Sequence, residues 1–210
     1  MQLRARNYTG ITIAVSLLVL YLSIHFRLSA GEPTDLMRTT VDKVVAVLNN
    51  PGLKSAARKK DRRDQLRQVI YPRFDFAEMA KRSLGSHWRS RTPEEQQEFE
   101  ELFTDLLANS YVDQIESFND EKILYLREIM NNNFAEVSTK IVTSKGEEFS
   151  INYRLHLANG SWKVYDIVIE NISLVHNYRS QFNRIIANSS YDELLRKMKE
   201  KKFASMRRDN

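Results

Sequence analysis

Near Phe118 the spacing of apolar residues changes from helical to alternating, and this switch constrains the fold more than any other feature of the chain. Before it, Val41, Val44, Val45 and Leu48 recur three to four residues apart. So do Phe99, Leu102, Phe103, Leu106, Leu107, Tyr111 and Ile115. After it, Phe149, Ile151, Tyr153, Leu155 and Leu157 alternate with Ser150, Asn152, Arg154 and His156. A stripe with a period near 3.6 marks a helix with one buried face, and a period of two marks a half-buried strand. Helices that come first, followed by a run of strands, describe an α+β fold.

The helical half, residues 31–118, reads as four helices. The first runs from about Asp35 to Asn49 and ends before Pro51-Gly52. A second covers Lys54 to Ile70, and a third covers Asp75 to Leu84 with Gly85 at its C-terminal cap. Thr92-Pro93-Glu94-Glu95 opens the fourth: Thr92 caps, Pro93 suits the first helical position, and Glu95 completes a capping box. In the strand half, residues 119–170, the pattern predicts strands at Ile123–Met130, Phe134–Thr143, Phe149–Ala158 and Trp162–Ile169. Asn131-Asn132-Asn133, Ser144-Lys145-Gly146 and Asn159-Gly160 separate them, and turns this short imply an antiparallel meander. One sheet face is apolar and the other wet. C-terminal helices over residues 171–199, from about Val175 to Ala187 and from Ser190 onward, precede a basic tail, 200–210, expected to fray. The expected architecture is a four-stranded curved antiparallel sheet with helices packed on its apolar face.

The net charge is +5, but its distribution weakens any case for nucleic acid. Arg4, Arg6 and Arg27 lie in the first 30 residues, which hold no acid, so beyond them 29 cations face 27 acids. Those 30 residues read as a secretory signal: a positive start, an apolar run from Ile11 to Ile24, and a cleavage site at Leu28-Ser29-Ala30. An uncleaved anchor extended through Ser29 is the alternative. Either way residues 31–210 form one domain outside the cytoplasm. With no cysteine, the chain has no disulfide, thiolate metal site, cysteine nucleophile or lipid-modified cysteine. The helix from Lys54 to Arg67 carries Lys54, Arg58, Lys59, Lys60, Arg62, Arg63 and Arg67 against Asp61 and Asp64, a candidate surface for anionic headgroups or a partner. A solvated face is the plainer reading.

Catalytic patterns are missing. His87, His156 and His176 have no metal-ligand spacing with another His, Asp or Glu. There is no G-x-S-x-G elbow, P-loop or dinucleotide fingerprint. Asp166 and Glu170 lie about 13 Å apart on an extended strand, too far for a glycosidase pair. Asp166 reads as a structural anchor. The sequons at Asn171 and Asn188 are read as coincidence. No catalytic residue, metal or cofactor is expected.

Two separated blocks identify a resemblance. Trp162 to Phe182, WKVYDIVIENISLVHNYRSQF, and Phe74 to Phe103, FDFAEMAKRSLGSHWRSRTPEEQQEFEELF, resemble signatures of the MlaC, or toluene-tolerance, family. The likeness extends over most of the chain after about Glu32. It implies an NTF2- or cystatin-like sheet with an added helical subdomain, a periplasmic location, and a carrier that holds phospholipid acyl chains in an apolar cavity. It further implies exchange with an inner-membrane ABC transporter complex, through its substrate-accepting subunit, and with an outer-membrane lipoprotein–porin complex.

Under that expectation, tails enter between the apolar sheet face and the long helix. Alternation and helical spacing nominate Phe149, Ile151, Tyr153, Leu155, Trp162, Val164 and Val168 from the sheet. From the helices they nominate Phe103, Leu106, Leu107, Tyr111, Tyr178 and Phe182, with Leu174 and Val175 at the rim. Arg179, in the NYRSQF motif, either binds a phosphate or pairs with an acid of the chain. Three alternatives stay open: a hopanoid-type cargo, an NTF2-like enzyme acting on a small apolar substrate through Asp166, and an envelope assembly factor with a solid core.

Overall fold

The computed structural model describes residues 33–118 and 121–209. The expected leader, residues 1–30, and its cleavage site lie outside them. Helix α1, Pro33–Leu48, begins on a proline whose missing N–H costs nothing in a first turn. Its start is tied to the sheet, because the Thr34 amide and hydroxyl both donate to Glu128 Oε2, at 2.8 and 2.5 Å. Helix α2 spans Lys59–Ile70, shorter than the expected Lys54–Ile70. Ser55 takes extended backbone (φ −68°, ψ 151°), which breaks the helical hydrogen-bond ladder and leaves two single-turn pieces, Pro51–Leu53 and Ala56–Arg58, ahead of α2.

Helix α3, Phe76–Leu84, is capped by Asp75, whose side chain accepts from the Glu78 amide at 2.9 Å. It stops at Gly85, where φ is +61°, a value that a side chain at this position would resist. Helix α4 runs unbroken over Pro93–Glu116. Both halves of the expected capping box form, Thr92 accepting from the Glu95 amide and Glu95 from the Thr92 amide.

The sheet is an antiparallel meander of five strands rather than four: β1 Lys122–Asn131, β2 Phe134–Val142, β3 Glu148–Ala158, β4 Ser161–Ile169 and β5 Ile172–Ser173. The fifth strand is two residues long. It folds back on β4 through Glu170 and Asn171, both with positive φ (48° and 66°). Asparagine tolerates that conformation and glutamate does so rarely. Here the Glu170 carboxylate is held by the amide and hydroxyl of Ser150. The Asn159-Gly160 hairpin turn forms as expected, with φ of 50° and 76°. Two register shifts bend the sheet. One leaves Leu126 as an extra residue on β1, and the other leaves Tyr165 as an extra residue on β4.

After the sheet come α5, Leu174–Asn188, and α6, Tyr191–Asp209. Helix α6 runs through the basic segment after Lys199 to Asp209.

Buried side chains gather in two clusters. Helices α3, α4, α5 and α6 close on Met79, Leu84, Phe99, Phe103, Leu106, Phe182 and Leu194. Phe99 stacks on Phe103, and Phe182 meets both edge-on. Helix α1 covers the apolar sheet face through Met37, which packs with Ala135, Val137, Leu155, Trp162 and Val164. Phe74 packs against both clusters and bridges to Val164 beside the hydrogen bond from the Asp75 amide to the Val164 carbonyl.

Candidate functional site

The sheet face under α1 is tightly packed at its centre and open at its flanks. Val137, Leu155 and Val164 have no accessible surface. Around them Phe149, Ile151, Tyr153, Leu157 and Ile167 are only half-buried, as are Ile123 and Tyr125 of β1. Cross-strand pairing puts them on one face: Tyr125 opposite Thr139, Thr139 opposite Ile151, and Tyr153 opposite Val137. Burial pushes the Tyr153 phenol well above its ordinary value, and the residue as a whole keeps some accessible surface.

The predicted lining residues divide between the two clusters. Phe103, Leu106, Leu107, Val175, Tyr178 and Phe182 are buried in the helical cluster, with Tyr111 half-buried against it. Burial raises the Tyr111 hydroxyl to about 12. Leu174 is buried at the start of α5. Leu155, Trp162 and Val164 belong to the sheet cluster, with Tyr153 packed against it and Phe149 and Ile151 on its open flank. Val168 departs from the expected alternation. The Tyr165 bulge pairs Val168 with Asn152 and Asp166 with Arg154, which turns both away from Val164 to the polar face. The expected lining set left out Met37 and Leu36 of α1 and Tyr125 and Ile167 of the sheet, all placed at the sheet cluster, as well as Leu157, which the apolar alternation of β3 had already put on that face. The period-two pattern of β1 could have singled out Tyr125.

The polar face carries an open cleft of about 600 Å³, bordered by Arg82, Arg154, Tyr165, Asp166 and the first turns of α5. Asp166 is 4% exposed and fully engaged. It accepts from Ser173 Oγ at 2.7 Å, from the Val175 amide at 3.1 Å, and from Arg154 Nη1 at 3.2 Å. Those bonds join β4, β5 and the start of α5, a structural role that matches the anchor reading. The Arg154 guanidinium is shared with Glu136 at 3.1 Å. Arg82 pairs with Glu78 at 2.8 Å and lies 4.3 Å above the Tyr165 ring. Arg179 pairs with no acid through its Nε, which donates to the Arg82 carbonyl at 3.1 Å. A second open cleft, of about 500 Å³, lies between residues 74–77 and Ala158, Asn159, Ser161 and Lys163. Of the predicted lining residues, only Val175 borders either cleft.

The basic surface is smaller than the sequence suggests. Arg62 and Arg63 turn inward to Glu116 at the end of α4, at 2.8 Å each, and Arg63 also reaches Asp113 at 2.6 Å. Arg58 and Arg67 pair within the same segment with Asp61 and Asp64. His156 is a structural residue, 2.8 Å from Asp75 and stacked on Phe134. Among the described residues no group of His, Asp and Glu is placed to hold a metal ion, and no helix is long and apolar enough to cross a membrane.

Comparison with known proteins points in one direction. The family model described as MlaC protein matches residues 38–200. The intermembrane phospholipid transport system binding protein MlaC of Haemophilus influenzae is 23% identical over 194 residues, covering 90% of this chain and 91% of that protein. Toluene tolerance protein ttg2D of Pseudomonas putida is 23% identical over 156 residues, 73% of each chain. A solved phospholipid-binding protein from Ralstonia solanacearum, in complex with a phospholipid, superposes with a TM-score of 0.75. It is 25% identical, and the match covers 84% of this chain and 99% of that one.

Proposed function

The chain belongs to the MlaC family, and from that membership we propose that it is a periplasmic phospholipid carrier. It shields acyl chains from water while the lipid crosses between two membranes. The observation that carries the reading is the likeness to a solved relative that holds a phospholipid, over nearly the whole of that relative's length. The half-buried apolar flank of the sheet, around Ile151 and Tyr153, supports it from this chain's own residues.

Each buried CH₂ is worth about 0.8 kcal/mol, so two acyl chains with roughly 30 CH₂ groups cost on the order of 20–25 kcal/mol to expose to water. A binding protein with an apolar recess removes most of that barrier without covalent chemistry. This fits a chain whose best-placed acid, Asp166, is committed to holding a helix start. In this scheme the protein exchanges lipid with an inner-membrane ABC transporter complex and an outer-membrane lipoprotein–porin complex. Contacts with both are expected to be small, because a shuttle must dissociate.

The test is to purify the protein from its native host, extract it, and identify what it held by mass spectrometry. Diacyl phospholipid recovered near one molecule per chain supports the reading. A polycyclic terpenoid moves the cargo to the hopanoid class. Protein that is reproducibly empty and takes up no lipid from vesicles refutes the carrier function.

A further inference from the structure

One polar atom on the apolar sheet face has no partner. Tyr125 Oη is buried and makes no hydrogen bond among the described residues. The other buried side-chain atoms without a hydrogen-bond partner among the described residues lie elsewhere: Ser83 Oγ in α3, and Arg91 Nε beside the Tyr191 ring. Tyr125 packs at the edge of the sheet cluster beneath α1. The Arg38 guanidinium of α1 lies 4.4 Å above its ring, which holds the ring in place. Its register partner Thr139 already donates its own hydroxyl to the Ile151 carbonyl, at 2.7 Å. A buried hydroxyl without a partner is costly, and a chain that only needed an apolar wall would carry phenylalanine here.

The atom's surroundings suggest what it binds. It lies on the same face as the half-buried flank formed by Ile151 and Tyr153. A phenol is protonated at neutral pH and donates; here burial, aided by the nearby Asp42 carboxylate and opposed by Arg38, pushes it up to about 12. A diacyl glycerolipid offers few acceptors near its hydrocarbon, namely the ester carbonyls where the tails begin. We propose that the Tyr125 hydroxyl donates a hydrogen bond to an ester carbonyl of the bound lipid, so that the site distinguishes ester-linked lipids from apolar cargo of similar bulk. The assignment rests on the carrier reading and adds the group by which cargo is selected.

The experiment loads the purified protein from vesicles of equal amounts of diester and diether phosphatidylcholine with matched chains, and measures the bound ratio by native mass spectrometry. The wild type is expected to favour the diester about fivefold to tenfold, the value of one hydrogen bond with a buried donor. Tyr125→Phe is expected to bring the ratio to parity with diether loading intact, and its thermal midpoint should be at or above that of the wild type. Ser83→Ala, which removes the unpartnered hydroxyl in α3, should leave the ratio unchanged. A wild type without ester preference, a preference that survives in Tyr125→Phe, or one that Ser83→Ala abolishes would each overturn the assignment. Wild-type protein that loads neither lipid would overturn the carrier reading along with it.

Discussion

Asp166→Ala separates a structural acid from a functional one. The carboxylate is 4% exposed and accepts three hydrogen bonds, from Ser173, Val175 and Arg154. Their losses differ in kind. The Val175 amide is buried and bonds to Asp166, so orphaning it costs about 1–3 kcal/mol. Ser173 and Arg154 keep some access to water, and Arg154 keeps Glu136, so each loses less. Together the loss should be on the order of 3 kcal/mol, which lowers the thermal midpoint by roughly 6–12 °C for a domain of this size. Asp166→Asn keeps an acceptor of the same shape and should lose only about 1 kcal/mol. Urea unfolding of the three proteins at neutral pH measures the difference, and lipid extraction from the same preparations should show unchanged loading per folded molecule. An alanine variant within about 0.5 kcal/mol of the wild type would refute the anchor argument. Loss of loading in a fully stable Asp166→Asn would return the acid to a functional role.

Three further outcomes follow from other contacts. Glu116→Ala removes the acid that Arg62 and Arg63 share, leaving Arg63 with Asp113 and Arg62 with the Leu53 carbonyl, and should destabilise the fold by about 1–3 kcal/mol in urea unfolding, with little sensitivity to salt, since exposed pairs would be screened. Gly85→Ala forces a side chain into φ +61° against the Arg179 aliphatic chain at 3.4 Å, and should cost about 1–3 kcal/mol. The alkaline side is set by phenols. Tyr111, Tyr125 and Tyr191 are each raised to about 12 by burial, and Tyr71 and Tyr153 are raised as well. The folded state therefore holds protons that the unfolded state gives up near pH 10, so this contribution is complete below pH 10 and is lost as pH rises toward 12. Denaturation midpoints should fall across that window, with tyrosinate absorbance rising in step. A midpoint flat to pH 12 would contradict the burial of these hydroxyls.

Parts of the fold were legible because short-range rules govern them. Thr92 and Glu95 are three residues apart and cap α4 as their spacing demands. Asn159 and Gly160 tolerate positive φ, and the hairpin turns there. The change of period near Phe118 marked where helices yield to strands, and each long strand begins and ends within a residue or so of its pattern. The limits of the reading appeared where a partner lies far along the chain. Arg63 looked like one more cation on a solvated face, yet its partner Glu116 is 53 residues away. The two-residue β5 was missed because a glutamate at φ 48° is held by Ser150, twenty residues before it. Val168 was assigned to the wrong face because a single extra residue, Tyr165, reverses an alternation that sequence alone assumes to be unbroken.

The order of amino acids alone determined the class of fold, the capped start of α4, the hairpin turns, and the two blocks that mark the family. Each depends on backbone preferences and periodicity acting over a few residues. Tertiary structure alone decided that α1 covers the sheet, that the candidate lining residues fall into two clusters, and that the Tyr125 hydroxyl is left without a hydrogen-bond partner among the described residues. Burial and hydrogen-bond satisfaction depend on which distant segments come together, and local pattern carries no record of that.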